Sequence, residues 1–237
     1  GEVVGLVGTN EAGKSTMCLV AAGLAPRAIG GVLSGRVTVD GRDLGSLPAG
    51  EVAGAVGIAF ASPQLSGVCS TVYEEVAFGP MNLGLPRNEV MERTAQALKA
   101  VAITDLASRD PEHLSGGQRQ LVVVAGLLAM EPRHLVLDEP TAHLDPAGTR
   151  LVGEAIARLA AAGASILIAE QKTDLLSAVC ERVTVLDGGR VALAGSAESI
   201  LGDPRLEGLG VDPPTPVRLR RLALAAGMDP GRLEVAT

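Results

Sequence analysis

Residues Gly8 to Ser15 read G-T-N-E-A-G-K-S, and this turn constrains the fold more than any other stretch of the chain. It follows the apolar run Val3 to Val7 and opens the helix-favouring segment Lys14 to Leu24, so it stands where a buried strand passes into a helix. Glycine at Gly8 and Gly13 lets the backbone curl until successive N–H groups face one point, and the helix start adds partial positive charge there. The spacing G-x-x-x-x-G-K-[ST] in this context cradles phosphate, with Lys14 reaching the outer phosphates and the Ser15 hydroxyl turned to Mg²⁺. Gly8, Thr9, Asn10, Glu11, Ala12, Gly13, Lys14, Ser15 and Thr16 are therefore the expected nucleotide-binding residues.

Short apolar runs recur along the rest of the chain. Val3 to Val7, Arg36 to Val39, Val56 to Phe60, His134 to Leu137, Ser165 to Ala169 and Arg182 to Leu186 read as strands. Lys14 to Leu24, Asn88 to Val101, Gly117 to Met130, Ala147 to Ala162 and Thr173 to Cys180 read as helices. Such alternation predicts an α/β fold with a mostly parallel, helix-covered sheet, its most apolar strands central and its polar chemistry at their carboxyl ends. From Asp203 the composition turns to proline, arginine and leucine, which reads as a linker and a short amphipathic helix, a C-terminal tail over 203–237.

His134-Leu135-Val136-Leu137-Asp138-Glu139 is an apolar strand ending in two carboxylates. In a chain with a phosphate loop this pairing suits Asp138 to position Mg²⁺ and Glu139 to polarise the attacking water.

Composition removes other classes. The net charge of −7 leaves no overall basic surface for a phosphate backbone, and three aromatic residues offer few platforms for base stacking, so nucleic acid is not an expected partner. Cys18, Cys69 and Cys180 are widely spaced and lack a C-x-x-C pair, which fits reduced thiols better than a disulfide frame or zinc site. The longest uncharged apolar run, around Leu121 to Met130, is about half of what a bilayer-spanning helix needs, and no export signal is seen.

Leu114-Ser115-Gly116-Gly117-Gln118 resembles the signature motif of the ABC ATPases. With Gly8 to Ser15, Asp138-Glu139 and Leu144-Asp145 it makes four matching elements in that family's order, over almost all of residues 1–202. The stretch Thr71 to Leu85 is similar in particular to ATPases of energy-coupling-factor importers for vitamins and metal ions. The resemblance implies a P-loop NTPase fold over 1–202, with a helical subdomain at about 71–130 carrying the signature and with N-terminal strands lying before Gly1. It implies Mg-dependent ATP hydrolysis that drives a membrane transporter from the cytoplasmic face of the cell membrane. It also implies a head-to-tail pair with a second ABC ATPase domain, in which Ser115, Gly116, Gly117 and Gln118 meet the partner's ATP and Asp145 lies in the D-loop. The partner domain is a second copy, another chain, or the other half of one polypeptide; Ala169 to Leu176 and the tail resemble the first half of such a tandem. A transmembrane transporter subunit is the second implied partner, received around Ala61 to Gly79.

Two positions depart from the family pattern. Read without gaps, Phe60-Ala61-Ser62-Pro63 puts Ala61 where the family has the glutamine of the Q-loop, and Gln64 is its expected substitute. Gln171 stands where the family usually has a histidine that contacts the γ-phosphate; glutamine still donates a hydrogen bond but carries no charge. Glu139 and Gln171 are thus the expected catalytic pair. Three alternatives stay open: a degenerate half that binds ATP and donates its signature with little hydrolysis, a soluble non-transport ABC ATPase, and a small-molecule kinase, which has no use for L-S-G-G-Q.

Overall fold

A computed structural model describes residues 1–61, 65 and 69–228. In chain order the main elements begin with β1 (Val3–Val7), α1 (Lys14–Ala21), β2 (Thr38–Val39), β3 (Arg42–Asp43), α2 (Ala49–Ala55) and β4 (Val56–Ala59). A helical stretch follows, α3 (Val72–Asn82), α4 (Arg87–Ala100) and α5 (Gly116–Met130). The chain then runs through β5 (His134–Asp138), α6 (Pro146–Ala161), β6 (Ser165–Ala169), α7 (Thr173–Val179), β7 (Arg182–Asp187), β8 (Arg190–Ser196), α8 (Ala197–Leu201) and α9 (Thr215–Ala225).

The main sheet has the order β4-β5-β6-β1-β7-β8. The pairs β4–β5, β5–β6, β6–β1 and β1–β7 are parallel, and β8 returns antiparallel to β7. The apolar runs explain this order. Leu135, Val136, Leu137, Ile166, Ile168 and Val183 are buried, as strands covered by helices on both faces require. Sequence reading placed β1 and β6 with their observed limits and the other strands of the parallel set to within a residue or two.

The helices α3, α4 and α5 pack on one another as a layer beside the sheet. Helix α3 falls within the stretch of about 71–130 expected to be helical, although no separate helix was assigned there; Gly79 and Pro80 lie in it. It forms because Thr71 and Glu74 close a capping box and because Val72, Val76, Ala77 and Pro80 bury one face. The expected strand Arg36 to Val39 shrinks to Thr38–Val39, half of a small hairpin with Arg42–Asp43 whose turn residues Asp40 and Gly41 are both left-handed, with φ of 51° and 75°. Strand β8 was also missed; its side chains are largely exposed, so no apolar alternation marks it.

Residues 203–214, read as linker, pack instead. Leu206 and Val211 are buried in the main core, and Thr173 Oγ1 donates to the Asp212 carbonyl at 2.8 Å. Thr215 donates its backbone N–H and hydroxyl to the Asp174 carboxylate at 2.7 and 2.9 Å, which seats α9 against α7. The short helix expected in the tail is α9, but it is docked through Ala223 and these polar contacts. Among the described residues no helix is long and apolar enough to cross a membrane.

Candidate active site

Strand β1 delivers the phosphate loop from the middle of the sheet. Gly13 caps α1 with φ 99°, a conformation open to glycine, and Glu11 also sits at positive φ, 64°. Gly8 has a second reason to be glycine: a Cβ there would lie 2.3 Å from the Leu186 carbonyl oxygen on β7. Lys14 is buried at the start of α1, and its Nζ donates to the Gly8 and Thr9 carbonyls at 2.9 and 3.0 Å. The ammonium is thus folded over its own loop, next to the N–H groups of the first turn that have no partner within the helix.

Strand β5 ends beneath this loop. Asp138 is buried, its Oδ1 has no hydrogen-bond partner, and the Ser15 hydroxyl bonds to its carboxylate. Burial raises the Asp138 pKa above the usual carboxylate value; the Ser15 hydrogen bond opposes this, Glu139 adds to it, Lys14 opposes it and Glu170 adds to it. Cys18 lies under the same carboxylate, and burial together with the Asp138 charge pushes its thiol up to about 12.

Glu139 follows in a left-handed conformation, φ 50°, with its N–H donated to the Ala169 carbonyl at 2.8 Å. This kink re-aims its side chain toward the end of β6. Gln171 Nε2 donates to Glu139 Oε1 at 2.7 Å and to Asn10 Oδ1 at 2.9 Å. The structure therefore brings together Asn10 of the loop after β1, Glu139 directly after β5 and Gln171 after β6, drawn from three parts of the sequence.

The residues expected to form a signature, Ser115 to Gln118, lie on another element. Ser115 caps α5; its Oγ accepts from the Gln118 N–H at 3.2 Å, and Gln118 Oε1 accepts from the Ser115 N–H at 3.0 Å. Gly116 and Gly117 face the loop after β5, where a Cβ on Gly117 would meet the His143 carbonyl oxygen at 3.3 Å. No hydrogen bond among the described residues ties Ser115, Gly116, Gly117 or Gln118 to the phosphate loop. Asp145 is spent on its own helix: its Oδ1 caps α6 by accepting from the Gly148 N–H at 2.7 Å. Ala61 lies at a bend beyond β4, while Gln64 lies outside the described residues.

Sequence reading missed Thr141, Glu170 and Lys172. Glu170 is buried, and its carboxylate accepts from the Thr141 hydroxyl at 2.7 Å and from the N–H groups of Gln171 and Lys172 at 2.9 and 3.3 Å. A charged residue closing an apolar strand was the available signal.

The family model described as ABC transporter matches residues 1–142. The energy-coupling factor transporter ATP-binding protein EcfA of Methanocaldococcus jannaschii is 40% identical over 207 residues, covering 86% of this chain and 72% of that protein. A relative from Methanosarcina mazei is 40% identical over 225 residues, which cover 94% of this chain and only 38% of that protein. Among solved structures, CbiO1 of Clostridium perfringens, described as part of the ABC transporter complex CbiONQ, superposes with a TM-score of 0.75 at 31% identity, over 96% of this chain and 88% of its own. The chain belongs to the ABC transporter family, as an ATP-binding ATPase subunit.

Proposed function

We propose that this subunit hydrolyses ATP at its own phosphate loop and drives an importer of the energy-coupling-factor type. The observation that carries the catalytic part is the bridge from Gln171 to both Glu139 and Asn10. It supports Glu139 as the acceptor of a proton from the attacking water, whose oxygen bonds to the γ-phosphorus as the bond to the leaving ADP oxygen breaks. It supports Gln171 as a neutral donor to the γ-phosphate, held in register with the loop by Asn10. In this reading the loop 8–16 holds the phosphates, with Lys14 exchanging its two carbonyl partners for phosphate oxygens.

The donor set fits Mg²⁺. Asp138 offers a buried oxygen without a protein partner beside the Ser15 hydroxyl, both oxygen ligands of the kind a hard cation takes. Bound there, the ion would neutralise charge on the outer phosphates.

The start of α5 is a capped, anion-favouring helix terminus that makes no hydrogen bond to the chain's own phosphate loop, so Ser115, Gly116, Gly117 and Gln118 serve a partner ATPase domain's ATP in this reading. Asp145 stiffens the D-loop from within. The partner domain is a second copy or a related half; the long Methanosarcina relative, of which this chain spans 38%, has length for both halves. The ATPase domain is read over 1–202, its helical subdomain over about 71–130, and 203–237 as a C-terminal extension. The EcfA and CbiO1 resemblances support import, a transmembrane partner and a place on the cytoplasmic membrane face. Ala61 and exposed Phe60 and Phe78 border the region assigned to that membrane partner.

A second reading draws on the uncharged Gln171: this half binds ATP and lends its signature while its own site turns over slowly. Fractionation tests the transporter part. Co-expressed with its membrane subunit, the chain is expected in the membrane fraction and to be released with that subunit by detergent; recovery wholly in the soluble fraction contradicts the assignment.

A further inference from the structure

We infer that Glu170 is a positioning residue that locks the switch residue Gln171 and the turn after Glu139 into one unit, an inference that rests on the catalytic reading of Gln171 and Glu139. Glu170 is 3% exposed and directly follows β6, next to Gln171 and Lys172. One oxygen, Oε1, accepts from the backbone N–H of Gln171 at 2.9 Å and of Lys172 at 3.3 Å, which fixes the direction in which the chain leaves the strand. The other, Oε2, accepts from the Thr141 hydroxyl at 2.7 Å. Lys172 closes the unit from the far side: its Nζ donates to the Thr141 carbonyl at 3.0 Å and approaches the Leu144 carbonyl at 3.5 Å.

The consequence is geometric. Glu139 and Thr141 sit on one turn, closed by the Ala142 N–H to the Glu139 carbonyl at 3.0 Å. Gln171 sits on another, and its side chain must arrive within hydrogen-bonding distance of Glu139 Oε1. Two short turns from different strands hold such a register only when something ties them, and displacement by about 1 Å is enough to cost a large part of a rate. Buried Glu170 is that tie. The hydrogen bonds of its carboxylate go to Thr141, Gln171 and Lys172 and not to residues 8–16, so it acts through Gln171 and the Glu139 turn.

A double-mutant cycle on the full chain, assayed with its partner ATPase where turnover requires one, tests this. Glu170→Ala is expected to lower kcat about tenfold or more with KM for MgATP within about twofold of wild type. Glu170→Gln keeps an oxygen for the two N–H groups and is expected to restore most of that loss. Because Glu170 works partly through Gln171, the loss in Glu170→Ala with Gln171→Ala is expected to fall well short of the product of the two single losses. Additive losses, or a loss confined to KM, overturn the positioning role while leaving Gln171 catalytic; Gln171→Ala at full wild-type rate instead overturns the catalytic reading, and the brace falls with it. Amide hydrogen exchange gives an answer independent of turnover. Residues 139–145 are expected to exchange faster in Glu170→Ala than in Glu170→Gln, and unchanged exchange there overturns the tie between the turns.

Discussion

Gln171 Nε2 lies 2.7 Å from Glu139 Oε1 and 2.9 Å from Asn10 Oδ1, so one uncharged amide joins the carboxylate that follows β5 to the phosphate loop. Its amide nitrogen has two acceptors within hydrogen-bonding distance, and the donor itself does not titrate.

A pH prediction follows from that neutrality. A histidine at this position would titrate near its ordinary value of about 6.5, whereas glutamine does not titrate. The wild-type kcat is expected to vary by less than about twofold from about pH 6 to 8, and Gln171→His to add a component that rises as pH falls through the imidazole's ionisation. Steady-state rates across that range check this; a wild-type profile with its own break near neutrality counts against the account.

The close approach of Gly8 to β7 gives a stability prediction. A Cβ would sit 2.3 Å from the Leu186 carbonyl oxygen and 3.1 Å from the Ala12 Cβ, and the Leu186 backbone leaves little room to yield. Gly8→Ala is expected to destabilise the fold by about 2–4 kcal/mol, in the range of other large single-site effects, and to weaken ATP binding with it. Thermal unfolding and nucleotide titration measure the two together.

The thiols give a third. Burial, followed by the Asp138 charge, pushes Cys18 up to about 12, and burial, followed by the Glu181 charge, does the same to Cys180. Only the thiolate is nucleophilic, so both are expected to resist iodoacetamide at about pH 8 in the native chain and to react once it is unfolded. Mass spectrometry of labelled peptides reads this out, and rapid native labelling of Cys18 contradicts the packing under Asp138.

Much of this was legible from residue order. The phosphate loop, the strand into Asp138-Glu139 and the cap at Ser115 are local: their chemistry needs neighbours within a few residues, and the structure places β1, β5 and the start of α5 where those patterns put them. Helix α3 was expected only as part of a helical stretch at about 71–130; its limits are set by the capping box at Thr71 and Glu74 and by a buried face that tolerates Gly79 and Pro80. Strand β8 was hidden because an exposed edge has no apolar period, although Asp187-Gly188-Gly189 before it is a hairpin turn, with both glycines at positive φ. The packing of Leu206 and Val211 was masked by the prolines around them. Contacts between distant segments carry no local pattern at all. Nothing in the order of residues announces that Glu170 reaches Thr141, or that Gln171 reaches Asn10 across the loop.

The central claim is that this chain's own site hydrolyses ATP with Glu139 as the base. The direct test is steady-state hydrolysis by the purified chain, alone and with a partner ATPase domain, comparing wild type with Glu139→Gln. The account predicts ATP binding unchanged and a fall in this chain's turnover of about 10²-fold or more, the scale of a positioned general base. Hydrolysis that appears only in the mixture and survives Glu139→Gln would contradict it, and would leave this half as the binding and signature-donating side of an asymmetric pair.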